Sequence, residues 1–499
     1  MTSASNNARL ATVYDGLAAQ LDDSAAILRH DLEVAEAALV HARDRVDEIR
    51  RNLDDLMRRR EDLRGSSVAL RSSQRLTFPR TFPVELLCAV FQAFVGETTS
   101  LWVGWDMKCG IDKHRRSAPF ILAAVCRHWR TVALATPSVW YYIVLPAPTT
   151  ELGCHTALDY INTVISRSGG TALEIGFYWN NLSDEQWTDI GPSCQPLLRR
   201  IADAASRWKV ALLYLPNAAA TRDNLDGFRR VMPMLEELTV CREDNGSHNP
   251  WATNFPLYLP YCPRLRRMRT DGCHVIWTPP HSPIALVHLE LEVDLPASVV
   301  WDLLQSLPAL ESLSLDLPNY SANGWIPPAN PKLHLHALRI LGINRLADLL
   351  LSAWAAYMEL PNLRSCLLWR VDYESFCPFL EAFADTITTL TLYLTGEHVD
   401  PEAIPDFRNL KDLVIRSLSN TVYNDTFLTL ARTDLWPELE VVELHGIEVS
   451  ADLADALIAF VRARRPKRLK TVRLESCTAP AWFSDQLELF LHDSKGELQ

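Results

Sequence analysis

From Ala18 to Leu63 the apolar positions step forward by alternating threes and fours. They are Ala18, Leu21, Ala25, Leu28, Leu32, Ala35, Leu39, Ala42, Val46, Ile49, Leu53, Leu56 and Leu63, with Arg60 the polar member of the series. No Pro or Gly interrupts these seven heptads, and the pattern predicts a coiled-coil helix over residues 1–64. At 1.5 Å per residue the patterned stretch is about 70 Å long. Its apolar stripe is too narrow to seal a globular core and needs a partner helix or a docking surface. Gly65-Ser66-Ser67 ends the pattern, and residues 65–81, which hold no sustained period, read as a linker.

The flanking charges bear on that partner. With Ala18 at position a, the e and g sites include Asp22, Asp31 and Glu36 early, then Arg43, Arg45, Arg50, Arg59 and Arg64 late. A parallel in-register pair opposes Asp31 to Glu36, Arg45 to Arg50 and Arg59 to Arg64. An antiparallel pair brings Asp22 to Arg64 and Glu36 to Arg50, with Arg43 meeting itself. Each exposed pair is worth only about 0.3–0.5 kcal/mol, so the charges tilt towards antiparallel self-association through 18–63 and leave a folded-back helix open.

Between residues 82 and 145 the period is that of short helices. Pro83 suits a first helical turn, and Leu86, Leu87, Val90, Phe91 and Phe94 follow at helical spacing. Ile121, Leu122, Val125, Trp129 and Val132 repeat the pattern until Pro137 stops it. The stretch 96–117, with Trp102, Trp105 and the run Asp112-Lys113-His114-Arg115-Arg116, reads as an inserted loop. A helical unit this small has a thin core and completes its burial on a neighbour.

Residues 146–499 carry a repeat whose first weak copies lie just upstream. A six-residue pattern of apolar, two variable, apolar, variable, apolar starts at Leu235, Leu265, Leu286, Leu310, Leu338, Leu363, Ile387, Leu410, Leu439 and Leu469. Weaker copies run from Trp140 to Leu145, at Leu173 with Ile175, and from Trp208 to Leu213. The starts lie 21 to 30 residues apart, the span of leucine-rich repeats. The expected fold is therefore α plus α/β: a long N-terminal helix, a small all-α module, and an α/β solenoid of parallel strands with outer helices. SVVWDLLQSL and ADLADALIAFVRARR read as such helices, and AWFSDQLELFLHD as a closing cap. The usual Asn or Cys after the strand stands only at Cys273 and Cys477, so an irregular, gently curved array is expected.

Composition narrows the function classes. Hydrophobic residues make up 48% and charged residues 22%, a globular composition. A net charge of −12 argues against general binding of nucleic acid or anionic membranes. The eleven cysteines include no CxxC pair, the start has no secretory pattern, and no apolar run is long enough to span a bilayer. Reduced thiols and a cytosolic or nuclear setting are expected. No GxSxG, HExxH, Walker loop or GxGxxG is present. The spacing of Cys262, Cys273, His274 and His281 matches no common zinc site, and His114, His128 and His155 lack a nucleophile at a recognisable spacing. The expectation is a non-catalytic chain with no cofactor and no metal.

FPVELLCAVF followed by AAVCRHWRTVALATPSVWYYI resembles the F-box, with its Leu-Pro-x-Glu-Leu-Leu opening and Val-Cys-x-x-Trp centre; Phe82 stands where the family usually has Leu. The order coiled coil, F-box (82–145), irregular leucine-rich repeats resembles F-box proteins of mushroom-forming fungi. The resemblance implies binding to a Skp-family adaptor and, through it, to the cullin scaffold of a cullin–RING ubiquitin ligase. Phe82, Pro83, Leu86, Leu87, Val90, Phe91, Ile121, Val125, Cys126 and Trp129 are the implied contact or scaffold residues. The repeats would then bind a target protein, with ubiquitin transfer done by other subunits. The alternatives are a repeat scaffold with a degenerate F-box, or an enzyme whose site is assembled from distant residues.

In such an array the variable strand positions form the natural recognition face. Arg339 and Arg364 hold the same position in consecutive repeats, about 5 Å apart at strand spacing. With Trp369, Tyr393 and Arg416 they are the residues expected to hold an acidic or phosphorylated segment. A solvated strand face of mixed charge is the alternative.

Overall fold

The computed structural model describes residues 32, 43, 45–65, 82–96, 112–179, 182–216, 230–242, 256–259, 261–271, 274–277, 285–292, 295–317, 325, 327, 332–344, 347–369, 373–394, 405–417, 424–433, 435–464, 468–480, 482–483 and 486–487. The chain divides into two compact units, Met1–Pro83 and Val84–Gln499. In the first unit, residues 45–65 are continuous helix, and Val46, Ile49, Leu53, Leu56 and Leu63 of the heptad stripe are exposed. Arg45, Arg50, Arg59 and Arg64 each pair within the helix, with Glu48, Asp47, Asp55 and Glu61. Most of the heptad run before residue 45, and the linker after residue 65, lie outside the described residues.

The second unit opens with three helices. Helix α1 (Val84–Val95) ends at Gly96, which takes φ +89°, a conformation any Cβ would strain, and donates its N–H to Gln92 O at 3.1 Å. Helix α2 (Lys113–Val125) starts on Asp112, whose carboxylate accepts from Arg115 N at 3.0 Å. Residues 113–117, expected inside the inserted loop, thus form the first turn of α2; residues 97–111 lie outside the described residues. The apolar period could not reveal that turn, because its inward-facing side chain is the charged Arg115. Helix α3 (Arg127–Ala135) follows a break at Cys126, whose backbone is extended at φ −158°, ψ 171°. The Cys126 thiol caps α3 by accepting from Trp129 N at 3.4 Å. Leu87, Phe91, Val95, Leu122 and Val132 close the small core. Trp140 is fully buried beneath it and donates from its indole to Ala133 O at 2.7 Å.

The rest of the unit is built on a parallel sheet of 13 strands laid down in chain order. The weak early copies of the repeat form β1 (Tyr142–Pro146), β2 (Leu173–Tyr178) and β3 (Trp208–Leu215). Next come β4 (Glu237–Arg242), β6 (Arg267–Asp271), β8 (His288–Glu292) and β9 (Ser312–Asp316), with β5 (Pro256–Leu259) and β7 (His274–Trp277) pairing as a separate two-stranded sheet. The array continues through β11 (Ile340–Asn344) and β13 (Ser365–Trp369), whose approaches β10 (Leu333–His334) and β12 (Met358–Glu359) pair with each other. It finishes with β14 (Thr389–Leu394), β15 (Asp412–Ser417), β16 (Val441–His445) and β17 (Thr471–Glu475). All ten repeat starts read from the sequence are buried leucines or isoleucine two residues ahead of one of these strands. The arrangement is an α/β solenoid-like one.

The register explains the six-residue pattern. Neighbouring strands align their second positions as Leu238, Met268, Leu289, Leu313, Leu341, Cys366, Leu390, Leu413, Val442 and Val472. The fourth positions align as a second apolar row, broken by the buried Thr270. Successive side chains of a strand point to opposite faces, so these two rows share one face and cover the core. Helices α4 (Glu151–Arg167) and α5 (Asp184–Ala202) connect β1 to β2 and β2 to β3, and are capped by Thr150 and by a Ser183–Gln186 capping box. Further along stand α6 (Ala297–Gln305), α7 (Ala347–Trp354), α8 (Tyr373–Phe383), α9 (Asn424–Arg432) and α10 (Ala451–Arg464). Helices α6 and α10 fall where the sequence places helices. Trp301 and Trp354 meet edge to face at 5.0 Å, both fully buried, which fills the space under the middle of the sheet.

At the far end, Arg464 is buried and donates to the carbonyls of Leu430, Thr433 and Leu435, where α9 ends. Residues 482–483 and 486–487 of the expected cap are helical, with Phe483 and Leu487 buried. Cys477 donates from its thiol to Leu444 O at 3.2 Å, whereas Cys273 lies outside the described residues. No helix among the described residues is long and apolar enough to cross a membrane.

Candidate protein-interaction site

The ten residues picked out in the helical module separate by role. Leu87 and Phe91 point into the core and are 3% and 0% exposed. Leu86 and Val90 sit on the opposite side of α1, 53% and 47% exposed, and Phe94 extends their stripe at the same spacing of four. Ile121 and Val125 form an exposed pair on α2, again four apart. Cys126 and Trp129 are half-buried, and the Trp129 ring lies 5.0 Å from Phe91. Phe82, half-buried, and Pro83, exposed, belong to the preceding unit. The exposed apolar side chains are the ones that can contact a partner; the buried ones hold the helices that present them.

A buried polar joint fixes this module to the array. Arg115 Nη2 donates to Glu174 Oε2 of β2 at 2.7 Å and to the Tyr141 hydroxyl at 2.7 Å. Tyr141 passes the chain on to Gly96 O at 2.8 Å, so the end of α1, the start of α2 and the first strands share one network. The guanidinium carbon also lies 4.3 Å from the Tyr142 ring centre. Burial works against the Arg115 charge, yet Glu174 and Tyr141 together outweigh it and raise its pKa above the ordinary value. The sequence offered no sign of this joint, because Arg115 sits in a run of basic residues.

The five residues expected to bind an acidic segment do not form one cluster. Arg339 and Arg364 are adjacent, since Arg364 N donates to Arg339 O at 2.9 Å, and both are exposed where their strands begin. Trp369, Tyr393 and Arg416 align in the fifth positions of β13, β14 and β15. Five residues of strand, about 16 Å, separate the two groups. The periodic reading grouped the five by repeat position and ignored their distance along the strand. Trp369 and Tyr393 stack at 4.8 Å, and Arg416 lies over the Tyr393 ring at 5.6 Å. His445 continues the row, 3.2 Å from Glu475.

The same row is acidic further back. Asp271, Glu292 and Asp316 stand side by side on β6, β8 and β9, and Asn344 follows, donating from Nδ2 to Asp316 Oδ2 at 2.5 Å. Burial first, then the neighbouring Glu292 carboxylate, pushes Asp271 up to about 8. In the row between, Arg269 faces Glu290 at 3.4 Å. Arg267 likewise pairs with Glu237 on the neighbouring strand. Burial raises the Cys262 and Cys366 thiols to about 12, so these two are not poised as nucleophiles.

No family model matches the chain, and no curated protein matches it.

Proposed function

We propose that the chain is the substrate-recognition subunit of a cullin–RING ubiquitin ligase, docking a Skp-family adaptor through α1–α3 and a target protein through the repeat array. The observation that carries this reading is the exposed apolar set Leu86, Val90, Ile121 and Val125 on helices whose other side is a closed core. Apolar side chains on neighbouring helices, low in charge, are what the core of an interface requires. The F-box-like motif residues supply the identity of the partner. Burying these side chains on an adaptor would complete the thin core of the module.

The role of the array in this reading is to hold the target at a fixed offset from the adaptor. The Arg115–Glu174 joint supports it, because a rigid link between docking module and receptor keeps the target within reach of the transferring subunit. The arm, through its exposed heptad stripe, would pair two copies and raise avidity for a multivalent target.

Co-purification of the full chain with a Skp-family adaptor is the test. The wild-type chain is expected to retain the adaptor, and Leu86→Asp with Val90→Asp to lose it while keeping its fold. A folded wild-type chain that retains no adaptor would replace this reading with that of a repeat scaffold.

A further inference from the structure

We propose that His334, His336 and Glu359 form a binding site for a divalent transition-metal ion of the zinc class. The site lies on the small β10–β12 ladder that leads into the middle of the array, away from the adaptor-docking helices. Nothing in the proposed ligase role requires it, and it stands or falls separately.

The ladder itself brings the three side chains together. Leu333 and Leu335 are each 1% exposed, and Met358 and Leu360 are buried opposite them. Side chains alternate along an extended strand, so burying those four turns His334, His336 and Glu359 outward on one face. His334 pairs directly with Glu359 in the register, and Leu335 N donates to Glu359 O at 3.2 Å. Asn362 Nδ2 donates to His336 O at 2.7 Å and fixes the second histidine's backbone. The positions of the ligands are therefore set by backbone and core, before any ion binds.

The spacing suits a metal. One donor atom from each of the three residues lies within 4.8 Å of the others. His334 Nδ1 is 2.9 Å from Glu359 Oε2, and the two imidazole rings lie 5.5 Å apart, nearly parallel. Bonds of about 2.0–2.2 Å to a tetrahedral ion put donors roughly 3.3 Å apart, so the widest pair must close by up to about 1.5 Å, a movement that side-chain rotation at these partly exposed residues supplies. Two imidazoles and a carboxylate are the donor set of zinc, and they leave a position open for water or an outside ligand. Lys332 Nζ, 3.3 Å from Glu359 Oε1, orients the carboxylate from its far side and leaves Oε2 turned towards His334.

The experiment is a calorimetric titration of the full, reduced chain with Zn²⁺, together with a Co²⁺ titration followed by visible absorption. Wild type is expected to bind one more equivalent than His334→Ala/His336→Ala, with a cobalt spectrum of nitrogen and oxygen ligation. Glu359→Gln, which preserves shape, is expected to weaken that equivalent by about tenfold or more. All three side chains are exposed enough for the variants to fold, which near-ultraviolet circular dichroism checks. Equal stoichiometry and affinity in wild type and the double-histidine variant would overturn the proposal. So would a cobalt spectrum dominated by thiolate ligation and unchanged in the variants.

Discussion

Arg115 and Glu174 stand 59 positions apart in the chain and meet at 2.7 Å, with side chains only 7% and 4% exposed. A charge pair this far from solvent contributes little net stability while whole but leaves a buried, uncompensated charge when halved. Arg115→Ala is therefore expected to lower the unfolding free energy by about 3–5 kcal/mol, read from denaturant midpoints. Arg115→Met combined with Glu174→Leu should recover much of that loss. A single variant as stable as wild type would show that the joint does not hold the module to the sheet.

Neighbours on α1 should respond in opposite ways. Leu87 fills the core, so Leu87→Ala is expected to cost about 2–5 kcal/mol in thermal or chemical unfolding. Leu86 faces solvent, so Leu86→Asp should change stability by no more than about 0.5 kcal/mol and act on adaptor retention instead. Comparable destabilisation by both would mean that Leu86 is part of the fold and not of a contact.

The acidic row predicts an unusual pH dependence. Asp271 has its pKa raised from 3.8 to about 8, by burial and by Glu292. The folded chain thus keeps a proton that the unfolded chain has released, and stability falls as pH rises from about 4 to about 8. Asp271→Asn removes that titration and should flatten this part of the profile, gaining most over wild type near the upper end. Urea midpoints across the range check it; equal slopes for both chains would sink the explanation.

Separate arginine groups allow separate tests of target binding. Arg339→Glu with Arg364→Glu alters an exposed strand entry, so recovery of an acidic or phosphorylated target should fall with little change in stability. Tyr393→Ala removes the stack with Trp369 and the ring under Arg416, and should cost about 0.5–1.5 kcal/mol beyond the lost burial. Unchanged target recovery after the arginine reversal would take Arg339 and Arg364 out of the binding face.

The arm offers a simple association test. Ile49 and Leu56 are exposed on their helix, and an isolated single helix gains little from its own hydrogen bonds in water. Sedimentation equilibrium of the full chain is expected to show a dimer that Ile49→Asp with Leu56→Asp converts to a monomer. A wild-type chain that stays monomeric at tens of micromolar would favour a stripe covered from within the chain.

What the sequence determined by itself is local. The six-residue pattern marked all ten later strands of the sheet, and its weak copies marked the first three, because strand alternation and a shared core leave their trace in neighbouring residues. The helical spacing around Leu86 and Trp129 likewise marked the small module, though the break at Cys126 and the first turn of α2 escaped it. Tertiary structure decided everything that depends on register between segments. It set Glu174 against Arg115, Asn344 against Asp316 and Glu359 against His334, and it split Arg339 and Arg364 from Trp369, Tyr393 and Arg416. Periodicity tells which face a side chain occupies. Only backbone pairing across the sheet tells which side chains that face brings within reach of each other.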